Sequence, residues 1–177
     1  MAKVLLGIGS NIDPEINIRN GIEALSSCLK HILLSPVYES RAIGFTGDNF
    51  LNLVVAGHTH LPLGEFATVL RDIEYRFGRE RDASKYSSRY LDIDILTYDD
   101  LVGEFHSIAL PRDEILNRAF VLKPLADLVP DALHPQVQKN YRDLWCDFDQ
   151  EGQDIWLSPF SPVLDYDELD HREDLVG

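Results

Sequence analysis

Asp92 and Asp94 stand two residues apart in Tyr90-Leu91-Asp92-Ile93-Asp94-Ile95-Leu96, whose alternation predicts a half-buried β-strand. Leu91, Ile93 and Ile95 would face one way and the two carboxylates the other. Acids at this spacing on a rigid strand can hold divalent cations. Just upstream, Gly78-Arg79-Glu80-Arg81 and Arg89 bracket a polar stretch without periodicity. Guanidinium forks match phosphate oxygens and stay charged at any working pH. Mg²⁺ needs only one or two protein acids when water and substrate phosphates complete its shell. The combination points to metal-assisted phosphoryl-type transfer. Asp-x-Asp alone also describes a solvated strand edge, and a lone arginine is ordinary surface charge. The two side by side carry the chemistry.

Further polar groups stand out against apolar patterns. Glu74 falls on the apolar stripe of a helix, where a carboxylate needs a partner, and a loop arginine is the natural candidate. Phe50, Asn52 and Phe120 could form a flat slot for an aromatic heterocycle, with the amide reading its hydrogen-bonding edge; by pattern alone a core role is the favoured one for both phenylalanines. His58-x-His60 lacks an obvious third ligand and reads as scattered histidines. The chain has no Walker-type Gly-x-x-x-x-Gly-Lys-Ser/Thr and no Gly-x-Gly-x-x-Gly, which disfavours a P-loop or Rossmann mechanism. Gly7-Ile8-Gly9 reads as strand-to-turn chemistry.

The elements that must position these groups follow from periodicity. Lys3–Ile8 reads as a strand, followed by Gly9-Ser10-Asn11, a turn with helix-capping chemistry. A helix is expected over 14–29, a strand over His31–Tyr38, an irregular loop over 39–49 and a strand over Phe50–His60. A second helix should run over 64–77 and be closed by Gly78. The Asp-x-Asp strand covers 90–98, with a turn at Asp99-Asp100, a short extension to Phe105, a helical segment from Pro111 to Asn117, and a helix over Phe120–Leu128. The order β-α-β-β-α-β predicts an α+β, ferredoxin-like antiparallel sheet with helices packed on it.

At 177 residues the chain suits one domain, and no apolar run approaches the roughly 20 residues needed to span a bilayer. Two cysteines and no signal-peptide pattern lead to a cytoplasmic expectation. The formal charge of −14 argues against a non-specific nucleic-acid binder. Residues 143–177 hold eleven of the acids and a single basic residue, Arg172, leaving about −4 on the first 142. Six basic residues (Arg71, Arg76, Arg79, Arg81, Lys85 and Arg89) cluster within 71–89, as an anionic small-molecule ligand would require.

An ordered set of landmarks resembles the 6-hydroxymethyl-7,8-dihydropterin pyrophosphokinase family. The set comprises Gly9-Ser10-Asn11, Tyr38-Glu39-Ser40, Phe50-Leu51-Asn52, Ile73-Glu74, Gly78-Arg79-Glu80-Arg81, Arg89-Tyr90-Leu91-Asp92-Ile93-Asp94-Ile95, Asn117-Arg118-Ala119-Phe120-Val121-Leu122 and Pro124-Leu125, spanning about residues 3–135. The resemblance implies diphosphate transfer from ATP to the pterin hydroxymethyl group with release of AMP, in folate biosynthesis. Asp92 and Asp94 would bind two Mg²⁺ ions. Arg79, Arg89, Arg112, Arg118 and Ile95 would bind ATP, with Arg81 and Glu74 shaping the catalytic loop. Phe50 and Phe120 would sandwich the pterin, Asn52 would read its edge, and Ser40, Ala42 and Ile43 would complete the wall. Loops 44–49 and 79–89 would close over ATP. The expected partners are small molecules only, with no nucleic acid or membrane, and the chain should act as a monomer.

Three departures mark the match. Tyr86-Ser87-Ser88-Arg89 replaces the family's usual Trp-Gly-Pro-Arg, Arg41-Ala42 stands where prolines are common, and Pro111-Arg112-Asp113 replaces a Pro-His-aromatic segment. They leave open a paralogue acting on another pterin-like alcohol, or a non-catalytic pterin or nucleotide binder. Residues 1–140 would form the pyrophosphokinase domain, and 141–177 an acidic extension, either part of that domain or a tail.

Overall fold

The computed structural model describes residues 1–78 and 90–162. Along the chain these form β1 (Ala2–Ser10), α1 (Pro14–Leu25), β2 (Lys30–Leu34), β3 (Tyr38–Ser40), β4 (Phe50–Thr59), α2 (Leu63–Arg76) and β5 (Asp92–Tyr98). They continue with β6 (Gly103–Phe105), β7 (Ile108–Leu110), α3 (Glu114–Asn117), α4 (Ala119–Leu128), α5 (Tyr141–Cys146) and β8 (Ile155–Leu157). The main sheet runs β5-β1-β4-β3-β8, every pairing antiparallel, and β2 pairs the same edge of β4 further along. With β2 and β3 counted as one interrupted strand, its first four positions have the ferredoxin-like order.

Period-two alternation gives this sheet two apolar faces. On one, Val4, Leu6 and Ile8 meet Leu53, Val55, Ile93 and Ile95. Helices α1 and α2 cover that face with Ile18, Ile22 and Leu25 and with Phe66, Leu70 and Ile73. On the other, Leu5, Val54, Ala56 and Leu96 pack beneath Ile115, Val121, Leu122, Leu125 and Tyr141 of α3, α4 and α5. This second cover stops short of one end of the sheet, where Asp92, Asp94 and Asn52 lie.

Three elements differ from the sequence expectation, each for a local reason. The first helix ends at Leu25, because Ser26 and Ser27 turn their hydroxyls back onto the Glu23 and Ala24 carbonyls. The strand expected over 31–38 is split at Ser35-Pro36. Ser35 bonds both backbone groups of Val54, its N–H to the carbonyl and its hydroxyl accepting the N–H, and Pro36 has no N–H to continue the ladder. Ser10 and Asn11 do not cap α1, whose N-cap is Asp13. The Ser10 hydroxyl instead lies within bonding distance of the Ile12 and Tyr90 carbonyls, and Asn11 donates to the Asp48 carbonyl at 3.1 Å. Gly78 does end α2, at φ +94°, with the Tyr90 ring so close that a Cβ there would come within 2.9 Å.

The segment after residue 140 supplies structure that its acidity concealed. Tyr141 is buried under α4, and β8 adds a strand outside β3 through Tyr38↔Leu157, Glu39↔Trp156 and Ser40↔Ile155. Asn140 caps α5 by accepting the Asp143 N–H at 2.8 Å. Truncation after residue 140 should therefore cost about 3 kcal/mol or more, the scale of deleting one buried aromatic, and lower Tm by about 6 °C or more. Thermal unfolding of the two chains checks this; equal Tm values would contradict it.

Candidate active site

Strand register assembles the site. Gly9 pairs Asp92 on one side and Asn52 on the other, and Asn52 pairs Tyr38, so one row crosses β5, β1, β4 and β3. The next row joins Asp94, Gly7 and Val54. Neighbouring strands lie about 4.8 Å apart, which separates the carboxylate strand from the amide strand by roughly 10 Å. Gly7 and Gly9 lie between them and leave a floor without side chains. Above it opens a cavity of about 470 Å³, lined by Asp92 and Asp94 at one end and by Phe50, Asn52 and Phe120 at the other.

The acidic end is held from behind. Glu74, only 4 % exposed, accepts the Ile93 N–H at 2.7 Å, bonding the strand at the residue between the two aspartates. In front, Arg112 approaches Asp94 at 3.4 Å and Glu114 at 3.2 Å. Burial and then the Asp92 carboxylate push Asp94 up to about 8, Glu114 and Glu74 adding to them, although Arg112 pulls the other way. Burial pulls Arg112 down, but Asp94 and Glu114 more than offset it, so the guanidinium stays charged. Among the described residues no three His, Cys, Asp or Glu cluster as a complete metal cage. Two crowded carboxylates short of positive charge suit a hard divalent cation whose remaining ligands come from water and phosphate.

The other end has the chemistry of a ring slot. The Asn52 amide nitrogen lies 3.2 Å from the Tyr38 carbonyl, which can only accept, and 2.8 Å from the Ser40 hydroxyl. Both amide protons thus have protein acceptors, and Asn52 offers its oxygen to donors on a ligand edge. Ser40 pairs Phe50 across the strands, while Arg41, Ile43 and Phe45 continue the wall, the Phe45 ring set edge-on to Phe50 at 6.3 Å.

The family model for 7,8-dihydro-6-hydroxymethylpterin-pyrophosphokinase (HPPK) matches residues 5–130. The chain belongs to the HPPK family. It is 36 % identical over 166 residues to the 2-amino-4-hydroxy-6-hydroxymethyldihydropteridine pyrophosphokinase of Aquifex aeolicus (strain VF5), covering 93 % of this chain and 99 % of that one. The enzyme of the same name from Synechocystis sp. is 33 % identical over 138 residues, with 76 % and 70 % covered. In fold it resembles the crystal structure of Plasmodium falciparum HPPK-DHPS, at TM-score 0.64 and 15 % identity, over 82 % of this chain and 43 % of that longer one. As an HPPK it is a pyrophosphokinase of folate biosynthesis.

Measured against the sequence reading, Asp92, Asp94, Ser40, Ile43, Phe50, Asn52, Arg112, Arg118 and Phe120 all line one cavity. Arg79, Arg81 and Arg89, with the rest of the loop at 79–89, lie outside the described residues. Ala42 is not among the lining side chains, although Arg41 and Ile43 on either side are. Ile95 turns its side chain into the core beneath α1 and α2, because it shares the parity of Ile93 rather than of Asp94. The sequence reading missed Gly7, Gly9 and Phe45. Glycine at alternate positions inside an apolar strand was the available signal, since it marks a close approach to the backbone.

The crowded carboxylates make a stability prediction. Asp94 is raised in the folded protein from its ordinary 3.8, so its ionised form favours unfolding. This penalty is absent below pH 4, grows as pH rises and is complete above about 8. Without added metal, Asp94→Asn should raise Tm by about 2–4 °C at pH 8, with a smaller gain at pH 5. Melting curves at both pH values test the sign; a variant less stable at pH 8 would contradict it.

Proposed function

We propose that this HPPK works as an Mg²⁺-dependent ATP:pterin diphosphotransferase through the cavity on the Gly7–Gly9 floor. The hydroxymethyl oxygen of 6-hydroxymethyl-7,8-dihydropterin attacks the β-phosphorus of ATP. The new bond is O–Pβ, the bond broken joins Pβ to the α-phosphate oxygen, AMP departs and the alcohol proton is released. The observation that carries this reading is the register row in which Asp92 and Asn52 lie two strands apart across Gly9. A phosphate-handling end and a ring-reading end then sit side by side at the span of one pterin and its hydroxymethyl arm.

Asp92 and Asp94 would hold two Mg²⁺ ions, and Glu74 keeps their strand in place. When bound, the metal neutralises charge on the phosphates and fixes an in-line geometry. Arg118 and Arg112 bring fixed positive charge to the phosphates. Arg112 Nε is buried without a hydrogen-bond partner among the described residues, which leaves it a donor for an anionic oxygen. A guanidinium held above its ordinary range cannot take the alcohol proton, so Arg112 acts by charge and orientation. Phe50 and Phe120 bracket the pterin ring, Asn52 accepts from its donor edge, and Ser40 and Ile43 close the wall. Arg79, Arg81 and Arg89 are assigned to the triphosphate and the loop that covers it. We place the enzyme in the cytoplasm as a monomer, since one chain supplies every group named; Cys28 and Cys146 are both free thiols.

With the reduced hydroxymethylpterin, ATP and Mg²⁺, the protein should release AMP stoichiometrically with pterin diphosphate. Asp92→Ala should lower kcat by about 10³-fold or more, since removal of a single preorganised electrostatic group costs 10²–10³ and here a metal goes with it. Chromatographic quantification of AMP checks both. Ligand binding without AMP, or a variant as active as the wild type, would overturn the assignment.

A further inference from the structure

We infer that Gln153, from the segment following α5, is a positioning residue that sets the corner carrying Arg118 and Phe120. Its Oε1 accepts the Ala119 N–H at 2.9 Å and its Nε2 donates to the Asn117 carbonyl at 3.0 Å. These two bonds straddle Arg118, the single residue between α3 and α4. Arg118 has extended torsions (φ −125°, ψ 118°), and no side-chain cap satisfies α4 at this N-cap. The first N–H groups of a helix have no partner within it. Gln153 supplies one from 34 residues away and fixes the exit direction of both cavity-lining side chains.

The other end of the same segment grips the opposite wall. Two residues beyond Gln153, Ile155 pairs Ser40. Trp156 Nε1 then donates to Glu39 at 3.1 Å, and the other Glu39 oxygen accepts from Asn49 at 3.0 Å. Residues 153–156 therefore link the Phe120 wall to the Ser40 wall across a very short piece of chain. The width of the ring slot and the aim of Arg118 depend on that link, although none of the cavity-lining residues belongs to it. This inference rests on the reading of the cavity as the pterin and ATP site.

The test uses the full chain and three variants. Gln153→Met keeps the side-chain length and loses both bonds. Gln153→Glu keeps an acceptor for Ala119 but sets an anion against the Asn117 carbonyl, and Asp154→Ala is the neighbouring control. Amide hydrogen exchange at Ala119 reads the link directly, without reference to any ligand. Fluorescence titration with 6-hydroxymethylpterin gives Kd, and steady-state assays give KM and kcat separately. Gln153→Met should speed exchange at Ala119 and raise both Kd and the pterin KM about fivefold, the factor a lost helix cap carries, with kcat changed less. Gln153→Glu should fall between Met and wild type, and Asp154→Ala should match wild type. Faster exchange with unchanged Kd and KM would make Gln153 a structural cap only and overturn the inference, as would unchanged exchange. A wild-type chain that binds no hydroxymethylpterin would overturn the reading of the cavity itself, a failure visible before any variant is compared.

Discussion

The period-two alternation of side chains on β1, β4 and β5, locked by their antiparallel register, is the constraint on which the rest depends. It assigns Ile93 and Ile95 to the helix-covered core and Asp92 and Asp94 to the open face. A one-residue slip of β5 against β1 would bury both carboxylates under α1 and α2 and expose the isoleucines. Several contacts hold that register. Ile93 and Ile95 fill the core, Glu74 bonds the N–H between the aspartates, and Leu96 anchors the far face beneath α3 and α4. The irregularity in β1 pairing between Leu5 and Leu6 lies just beyond the site, so the rows through Gly7 and Gly9 stay in step.

The same register explains why the site is polarised. Asp92 and Asn52 occupy the two flanks of a bare glycine position, and Asn52 is fixed there by Tyr38 and Ser40. On the carboxylate flank, burial first and the neighbouring Asp92 carboxylate second push Asp94 up to about 8. On the amide flank hydrogen bonding is complete on the donor side, which leaves a single well-oriented acceptor. One flank is crowded with charge and the other has its donors satisfied, the division that the proposed transfer requires.

Much of this was legible in the chain. The Asp-x-Asp alternation located both the strand and its two faces, because period two is set by backbone geometry and needs no tertiary context. Glu74 on an apolar stripe announced a buried partner, and one such partner is the Ile93 N–H, a backbone group that no side-chain pattern can name. Gly7-Ile8-Gly9 reads in sequence as the passage from strand to turn, so the glycine floor it forms shows only once β1 is flanked by β4 and β5. The break at Ser35-Pro36 was hidden by apolar neighbours on both sides, and acidity masked Tyr141 and β8, whose few apolar residues form no long period. Contacts such as Gln153 to Ala119 are fixed by tertiary packing alone. Arg112 was visible as a departure from the family pattern, but only the fold shows it between Asp94 and Glu114, where it carries charge and cannot relay a proton.

The central claim is that the carboxylate pair and the ring slot serve one reaction across the glycine floor. A crystal structure with a non-hydrolysable ATP analogue, Mg²⁺ and 6-hydroxymethylpterin tests it most directly. The account predicts metal density between Asp92, Asp94 and the phosphates, with the pterin between Phe50 and Phe120 and its donor edge on the Asn52 oxygen. Metals away from those carboxylates, or a pterin ring outside that slot, would contradict it.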